Sequence, residues 1–159
     1  MKVMRDVGGV QKELSWTWNQ YYDECVAFAK SLQQLGIDER KAVNVMGANA
    51  PEWAIAFFGG IFRNNVVSGV YITNGPDACK YQAQHSEAQV IACDSIDQMK
   101  VWYRLLPELP LVKAIVVWGV DLNPNSPDKV TSECAKDPRI YTWKKFLSLG
   151  ANRPDQEIQ

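Results

Sequence analysis

An excess of charge of either sign is missing from this sequence of 159 residues: 17 lysines and arginines stand against 18 aspartates and glutamates. A nucleic-acid-binding protein needs a strongly basic face, so that class is not predicted. No apolar run approaches the roughly 18–20 residues of a membrane span. Residues 1–10 carry charges but no apolar core, which excludes a secretory signal there. The hydrophobic fraction of 47% is ordinary for one globular domain.

Side chains that bind metals are scarce. The sequence has one histidine, His85, and four cysteines at positions 25, 79, 93 and 134, without a C-x-x-C pair. A zinc site needs three or four clustered ligands, so we predict no metal-binding residue. The cysteines are expected to be free thiols in a reducing compartment, with Cys25 and Cys93 buried in the core. We place His85 at a helix C-terminus, and a reactive pair of Cys79 with His85 is the weaker alternative.

The familiar catalytic loops are also missing. The sequence contains neither G-x-x-x-x-G-K-[ST] nor G-x-G-x-x-G, and no G-x-S-x-G. Gly59 and Gly60 lie in an apolar segment, where they predict a close approach of another backbone rather than a phosphate cradle. Asp94 follows an apolar strand and precedes the helix cap Ser95, so its position at a sheet edge is only a weak indication of a ligand site.

The remaining residues alternate between helical and strand patterns. Thr17 and Gln20 have the spacing of a capping box, and apolar residues then recur on one helical face up to Gly36: Trp18, Tyr21, Cys25, Phe28, Leu32 and Leu35. Ser95 and Gln98 repeat this spacing before a helix that ends ahead of Pro107. Pro51 and residues 74–76 each begin a helix, and Thr142 caps a last helix that Gly150 closes. The tryptophans at positions 16, 18, 53 and 102 are expected to pack in the core.

Short apolar strands lie between these helices, at residues 42–46, 66–71, 89–93 and 111–118. This order predicts right-handed crossovers and an α/β fold with a mainly parallel sheet and helices on both faces. We divide the chain into an α/β subdomain (residues 1–120) and a following loop, short helix and terminal segment (residues 121–159).

Several segments together resemble a known family. They are residues 49–53 (NAPEW), 66–74 (VVSGVYITN) with Ala78 and Tyr81, and 86–91 (SEAQVI). In this order they resemble the N-terminal domain of AMP-forming acyl-CoA synthetases. Residues 17–22 (TWNQYY), 29–32 (AKSL) and 141–146 (YTWKKF), followed by Leu149-Gly150 and Pro154-Asp155, are similar to the bubblegum-type long-chain branch. Where the family often has glycines, this chain has Arg63-Asn64-Asn65, and asparagine can adopt the left-handed turn.

The resemblance implies a long-chain fatty acid–CoA ligase that forms an acyl-adenylate from a fatty acid and Mg-ATP, and then a thioester with CoA. The family's phosphate loop and catalytic lysine have no counterpart in these 159 residues. We therefore assign no catalytic and no cofactor-binding residue to this chain, and expect an inactive fragment of the enzyme. ATP, Mg and CoA are the cofactors expected for the full-length ligase.

Two other interpretations stay open at this point: a stand-alone flavodoxin-like ligand-binding module, and a partner-binding domain without a ligand. The last residues, 152–159, form an open segment, which favours the fragment. We expect the isolated chain to self-associate through apolar surfaces of residues 52–63 and 111–118. The resemblance implies a cytoplasmic enzyme, with peripheral membrane association as an option for the full-length protein.

Overall fold

A parallel β-sheet forms the centre of the computed structural model, which describes residues 1–7 and 9–158. Its five strands are β3 (Ala42–Met46), β4 (Val66–Val70), β5 (Ala88–Cys93), β6 (Ala114–Val117) and β7 (Ile140–Thr142), in the spatial order β4-β3-β5-β6-β7. All four pairings are parallel. An antiparallel hairpin of β1 (Lys2–Val7) and β2 (Val10–Ser15) precedes the sheet.

Six α-helices cover the two faces of the sheet in the described part of the chain. They are α1 (Trp18–Gln34), α2 (Pro51–Phe62), α3 (Pro76–His85), α4 (Ile96–Leu105), α5 (Lys129–Lys136) and α6 (Trp143–Ser148). Helices α1, α2 and α6 pack with Val43, Val45 and Val90 on one face. Helices α3, α4 and α5 pack with Ile91 and Ile115 on the other. The expected α/β sandwich with a mainly parallel sheet is confirmed.

The predicted starts of the helices agree with the structure wherever a capping residue or a proline marks them. Thr17 and Gln20 form a capping box, with the Gln20 N–H donating to the Thr17 hydroxyl at 3.2 Å. Ser95 and Thr142 cap α4 and α6, and Pro51 begins α2. Asn64 has a φ of 61°, so the left-handed turn after α2 forms on asparagine as expected. None of the described helices is long and apolar enough to cross a bilayer.

The glycines of α2 allow the close contact that the sequence suggested. A Cβ at Gly59 would lie 2.8 Å from the carbonyl oxygen of Cys25 and 2.8 Å from Cβ of Phe28, both on α1. A Cβ at Gly60 would lie 2.6 Å from Cγ2 of Val67 on β4. These positions therefore hold α2 tightly between α1 and the sheet.

Three expectations were wrong. The strand predicted for residues 111–118 covers only Ala114–Val117, because the chain first forms a 3₁₀ turn (Leu106–Glu108) and then passes Pro110, so it joins the sheet later than predicted. Leu111 is exposed, whereas the strand itself is fully buried and offers no free surface. Trp18 is 80% exposed instead of packed in the core, since the first turn of α1 extends beyond the sheet.

Candidate functional site

The order of the strands marks one crevice as the place where this topology binds ligands. From β3 the chain passes through α2 to β4 on one side, whereas β5, β6 and β7 lie on the other side. The loops after β3 and β5 therefore leave the sheet in opposite directions, which opens a crevice at the carboxyl ends of these strands. Open α/β sheets bind ligands at such switch points.

A cavity of about 250 Å³ lies at this edge. It collects residues from the hairpin and from the loops after β3, β5 and β6: Val3, Arg5, Ala48, Asn49, Ala50, Asp94, Trp118 and Gly119. Asp94 is therefore located where its place after a strand suggested. Its Oδ2 accepts a hydrogen bond from the backbone N–H of Ala48 at 2.7 Å, which ties the two diverging loops together.

Helix α2 begins at this edge with Pro51, and Ala50 provides no side-chain cap. Glu52, in the first turn, is nearly buried and compensates the positive end of the helix dipole. Arg5 from β1 donates from Nη2 to Oε2 of Glu52 at 2.6 Å. Burial raises the pKa of the Glu52 carboxyl, and its own backbone N–H and Arg5 oppose that rise. The chain thus places its own ion pair where this topology would accept an anionic ligand.

Trp118 forms one wall of the cavity and is fully buried. A Cβ at Gly47 would lie only 2.5 Å from its Cζ2 atom, so the β3–α2 loop needs glycine to lie against the indole. Gly119 has a φ of 72°, and a Cβ there would lie 2.5 Å from Nη1 of Arg5. Because both positions lack a Cβ, the Trp118 ring can lie against the backbone of Gly47, and the Arg5 guanidinium can lie against that of Gly119.

The residues around this cavity are suited to binding a ligand or holding loops in place, and not to catalysis. The cavity lining has no nucleophile next to a base, and no group of three histidine, cysteine or carboxylate side chains could hold a metal among the described residues. His85 ends α3 as predicted and stacks on Tyr81 with ring centroids 5.6 Å apart. Cys79 donates instead to the carbonyl of Asn74 at 3.7 Å, so the structure gives this thiol and the imidazole different partners.

All four cysteines are free and buried, as expected for Cys25 and Cys93. Burial raises the pKa of Cys25 and of Cys134 to about 11, and it raises the pKa of Cys93 still further. A thiol with such a pKa is almost wholly protonated at neutral pH and is a poor nucleophile. The structure therefore assigns these side chains to the core.

Sequence reasoning missed Arg5, Glu52 and Trp118 as parts of this site. The arginine lies 47 residues from its carboxylate in the sequence, so no local pattern links the two. Glu52 stands inside the NAPEW segment that carries the family resemblance, and this was the one available signal.

Comparison with known proteins decides the family. The model of the AMP-binding enzyme family matches residues 4–156. The chain belongs to this family. A long-chain-fatty-acid--CoA ligase of Xenopus laevis, ACSBG2, is 34% identical over 142 residues, covering 89% of this chain and 18% of the relative. The human ligase ACSBG1 is 29% identical over 153 residues, covering 94% and 20%. The resemblance to the bubblegum-type ligases is confirmed.

Solved structures agree on the fold. The adenylation domain of a carboxylic acid reductase from Segniliparus rugosus, in complex with AMP and a co-purified carboxylic acid, superposes on 97% of this chain with a TM-score of 0.73 and 13% identity. The anthranilate CoA ligase AuaEII superposes on 67% with a TM-score of 0.61 and 22% identity. The chain covers 27% and 20% of those proteins, and about a fifth of the curated ligases.

Proposed function

We propose that this chain is part of the N-terminal domain of a long-chain fatty acid–CoA ligase. The complete enzyme would form an acyl-adenylate from a fatty acid and Mg-ATP, and then transfer the acyl group to CoA. The family match over residues 4–156 carries this proposal, because it links nearly the whole chain to ligases about five times as long. The described residues provide part of the sheet and one side of its carboxyl edge.

The ATP and magnesium of the complete ligase do not fit the residues of this chain. Glu52 already occupies the N-terminus of α2, and Arg5 neutralises it, so a phosphate would meet a carboxylate there. The sequence has no phosphate-binding loop, and the described residues offer no cluster of magnesium ligands. We propose that the chain is inactive by itself, since adenylyl transfer needs donors and a cation that stabilise the developing charge.

In this proposal, the residues of the chain hold the loops and the hairpin in place at the sheet edge. The hydrogen bond from Ala48 to Asp94 fixes the loops after β3 and β5, and the Arg5–Glu52 pair holds the hairpin against α2. These contacts give the rest of the enzyme a rigid sheet edge on which to build its substrate site.

Two measurements test the proposal. Purified chain should give no fatty-acid-dependent exchange between ATP and pyrophosphate above a blank without fatty acid. The reading frame in the source transcript should continue past Gln159 into a loop rich in serine, threonine and glycine. Exchange by the isolated chain would contradict its inactivity.

A stop codon after Gln159 would favour the second candidate, a stand-alone binding module. The strand order β4-β3-β5-β6-β7 supports that candidate, because it is the flavodoxin-like order 2-1-3-4-5 with a cavity at its switch point.

A further inference from the structure

The turn between β4 and α3 contains the one asparagine of the sequence that a glycine follows, Asn74-Gly75. An asparagine side chain is open to attack by the backbone nitrogen of the next residue. This attack is easiest when that residue is glycine, because no Cβ shields the nitrogen and the backbone turns freely. Asn74 is half-buried and Gly75 is exposed. A Cβ built at Gly75 would meet open space, so no neighbouring group crowds this position.

The backbone nitrogen of Gly75 is free to act as the nucleophile. Its N–H donates no hydrogen bond to any residue that the structure describes. By contrast Ser126, which follows Asn125 in an exposed loop, donates its N–H to the carbonyl of Asn123 at 3.1 Å. The N–H groups after four other asparagines are likewise engaged, namely those of Gln20, Asn65, Val66 and Arg153.

The three remaining asparagines are less suited to this reaction. Asn44 lies inside the central strand β3, which pairs on both sides. Asn123 precedes Pro124, which has no N–H. Asn49 precedes Ala50, whose N–H also has no partner in the described part of the chain, but the alanine methyl group shields the nitrogen. The sequence and the fold therefore select Asn74.

The side chain of Asn74 is held only weakly. Its Nδ2 donates to Oε1 of Gln82 at 3.4 Å, which is longer than the usual range of about 2.7–3.2 Å. Gln82 is fixed independently, because its own Nε2 donates to the carbonyl of Gly69 at 2.7 Å. Loss of the Asn74 amide therefore leaves this contact between α3 and β4 in place.

We propose that Asn74 is a site of spontaneous deamidation in the folded chain. The Gly75 nitrogen attacks Cγ of Asn74, and the new N–C bond closes a succinimide ring while the Cγ–Nδ2 bond breaks. Nδ2 leaves as ammonia with the proton of the Gly75 N–H. Water then adds to one of the two ring carbonyls and opens the ring, which gives aspartate or isoaspartate at position 74. The inference does not depend on the proposed function, because it is measured as a covalent change and not as activity.

Either product alters the start of α3. Gly75 is the N-cap of this helix and provides no side-chain cap. A carboxylate at position 74 adds a negative charge at this end, where the helix dipole favours it. Isoaspartate also lengthens the main chain by one methylene, in a turn that the N–H of Asn74 closes onto the carbonyl of Tyr71 at 3.0 Å. The modified chains therefore differ from the original in charge, in backbone length, or in both.

Peptide mapping by mass spectrometry after incubation of the purified chain at pH 7.5 and pH 9 tests the proposal. Each deamidated peptide is heavier by about 1 Da. We expect Asn74 to be lost with time, and faster at pH 9, because the attacking nitrogen must lose its proton. Both aspartate and isoaspartate should form, since the ring opens at either carbonyl, whereas direct hydrolysis of the amide gives aspartate alone.

Gly75→Ala is the matched variant, because its Cβ meets open space and the φ of −72° suits alanine. It should slow the loss of Asn74 about tenfold, and thermal melts show whether it is folded. Should it fold less well, Asn49 and Asn125 of the wild-type chain replace it as references, and Asn74 should be lost about tenfold faster than either. A wild-type Asn74 that persists as long as these two overturns the proposal. Equal loss in a folded Gly75→Ala variant, or aspartate as the sole product, overturns it as well.

Discussion

The ion pair between Arg5 and Glu52 allows a direct test of how the hairpin is held at the sheet edge. The side chains are 18% and 7% exposed, with Nη2 and Oε2 2.6 Å apart. Arg5→Met keeps most of the aliphatic stem and removes the charge. It leaves the Glu52 carboxylate nearly buried at the N-terminus of α2, with its own helix end as the remaining compensation.

The expected cost follows from this geometry. A hydrogen bond to a charged group contributes about 1.5–3 kcal/mol, and breaking a fully buried pair costs about 3–5 kcal/mol. The lower range applies, because the Arg5 side chain is still 18% exposed and the neighbouring strand β2 is exposed along its length, so the pair is less shielded from water than a fully buried one. We expect Arg5→Met to lower the free energy of unfolding by about 2 kcal/mol at pH 7, and the melting temperature by about 4–8 °C.

The pH dependence separates charge from packing. Burial raises the pKa of Glu52 in the folded chain, and Arg5 limits that rise. Without Arg5 the folded pKa rises further, while the unfolded value stays near its usual ~4.3. The folded variant then binds the proton more tightly than the unfolded chain, so its stability falls as the pH increases above ~4.3. The difference from wild type should be smallest below about pH 4.3 and reach its full size by neutral pH.

Urea unfolding of both proteins between pH 4 and 7.5, followed by circular dichroism, measures this difference. Lys2→Met is the matched control, because it removes the exposed pair of Lys2 with Glu13 in the same hairpin, with side chains 67% and 53% exposed. It should change stability by less than about 0.5 kcal/mol at every pH. A loss for Arg5→Met that does not vary with pH, or an equal loss for Lys2→Met, would refute the electrostatic reasoning.

Three further predictions concern packing, backbone and thiols. Gly59→Ala should destabilise the chain by about 1–3 kcal/mol, because its Cβ would clash with Phe28, and this cost outweighs the better helix propensity of alanine. Gly75→Ala is the control and should be close to neutral, since a Cβ there meets open space. Thermal melts of the two variants measure the difference. Asn64 has a left-handed φ of 61°, so Asn64→Ala should lower the free energy of unfolding by about 1 kcal/mol, whereas Asn64→Gly should leave it unchanged. A similar loss of stability in both variants would show that the side chain matters more than the backbone conformation. The four buried cysteines should react with a thiol reagent in urea but not in the native chain within minutes, and rapid native labelling would contradict their burial.

The fold was predictable where local chemistry and periodicity coincide. The capping box at Thr17, the apolar strand Ala42–Met46 and the proline that begins α2 each specify an element within a few residues of sequence. The alternation of these elements then determines a parallel sheet. The left-handed turn was found in the same way, because asparagine is one of the few residues that tolerate it.

The elements that were missed lack such local signals. The hairpin has its second strand exposed throughout and so shows no alternation of buried and exposed residues. Strand β7 has three residues, Ile140–Thr142, which is too short to display a period. Of the candidate site, Asp94 could be placed at the sheet edge from its position after a strand. The pairing of Arg5 with Glu52 depends on how the hairpin folds back, and that is a long-range contact.

We propose that this chain works as a part of a fatty acid–CoA ligase. A chimera tests it most directly: this chain replaces the matched segment of the Xenopus laevis ligase, to which it is 34% identical over 142 residues. Fatty-acid-dependent formation of acyl-CoA is then measured beside the unmodified ligase and a ligase from which the segment is deleted. We expect the chimera to form acyl-CoA and the deletion variant to form none. A chimera that is folded and soluble but as inactive as the deletion variant would contradict it.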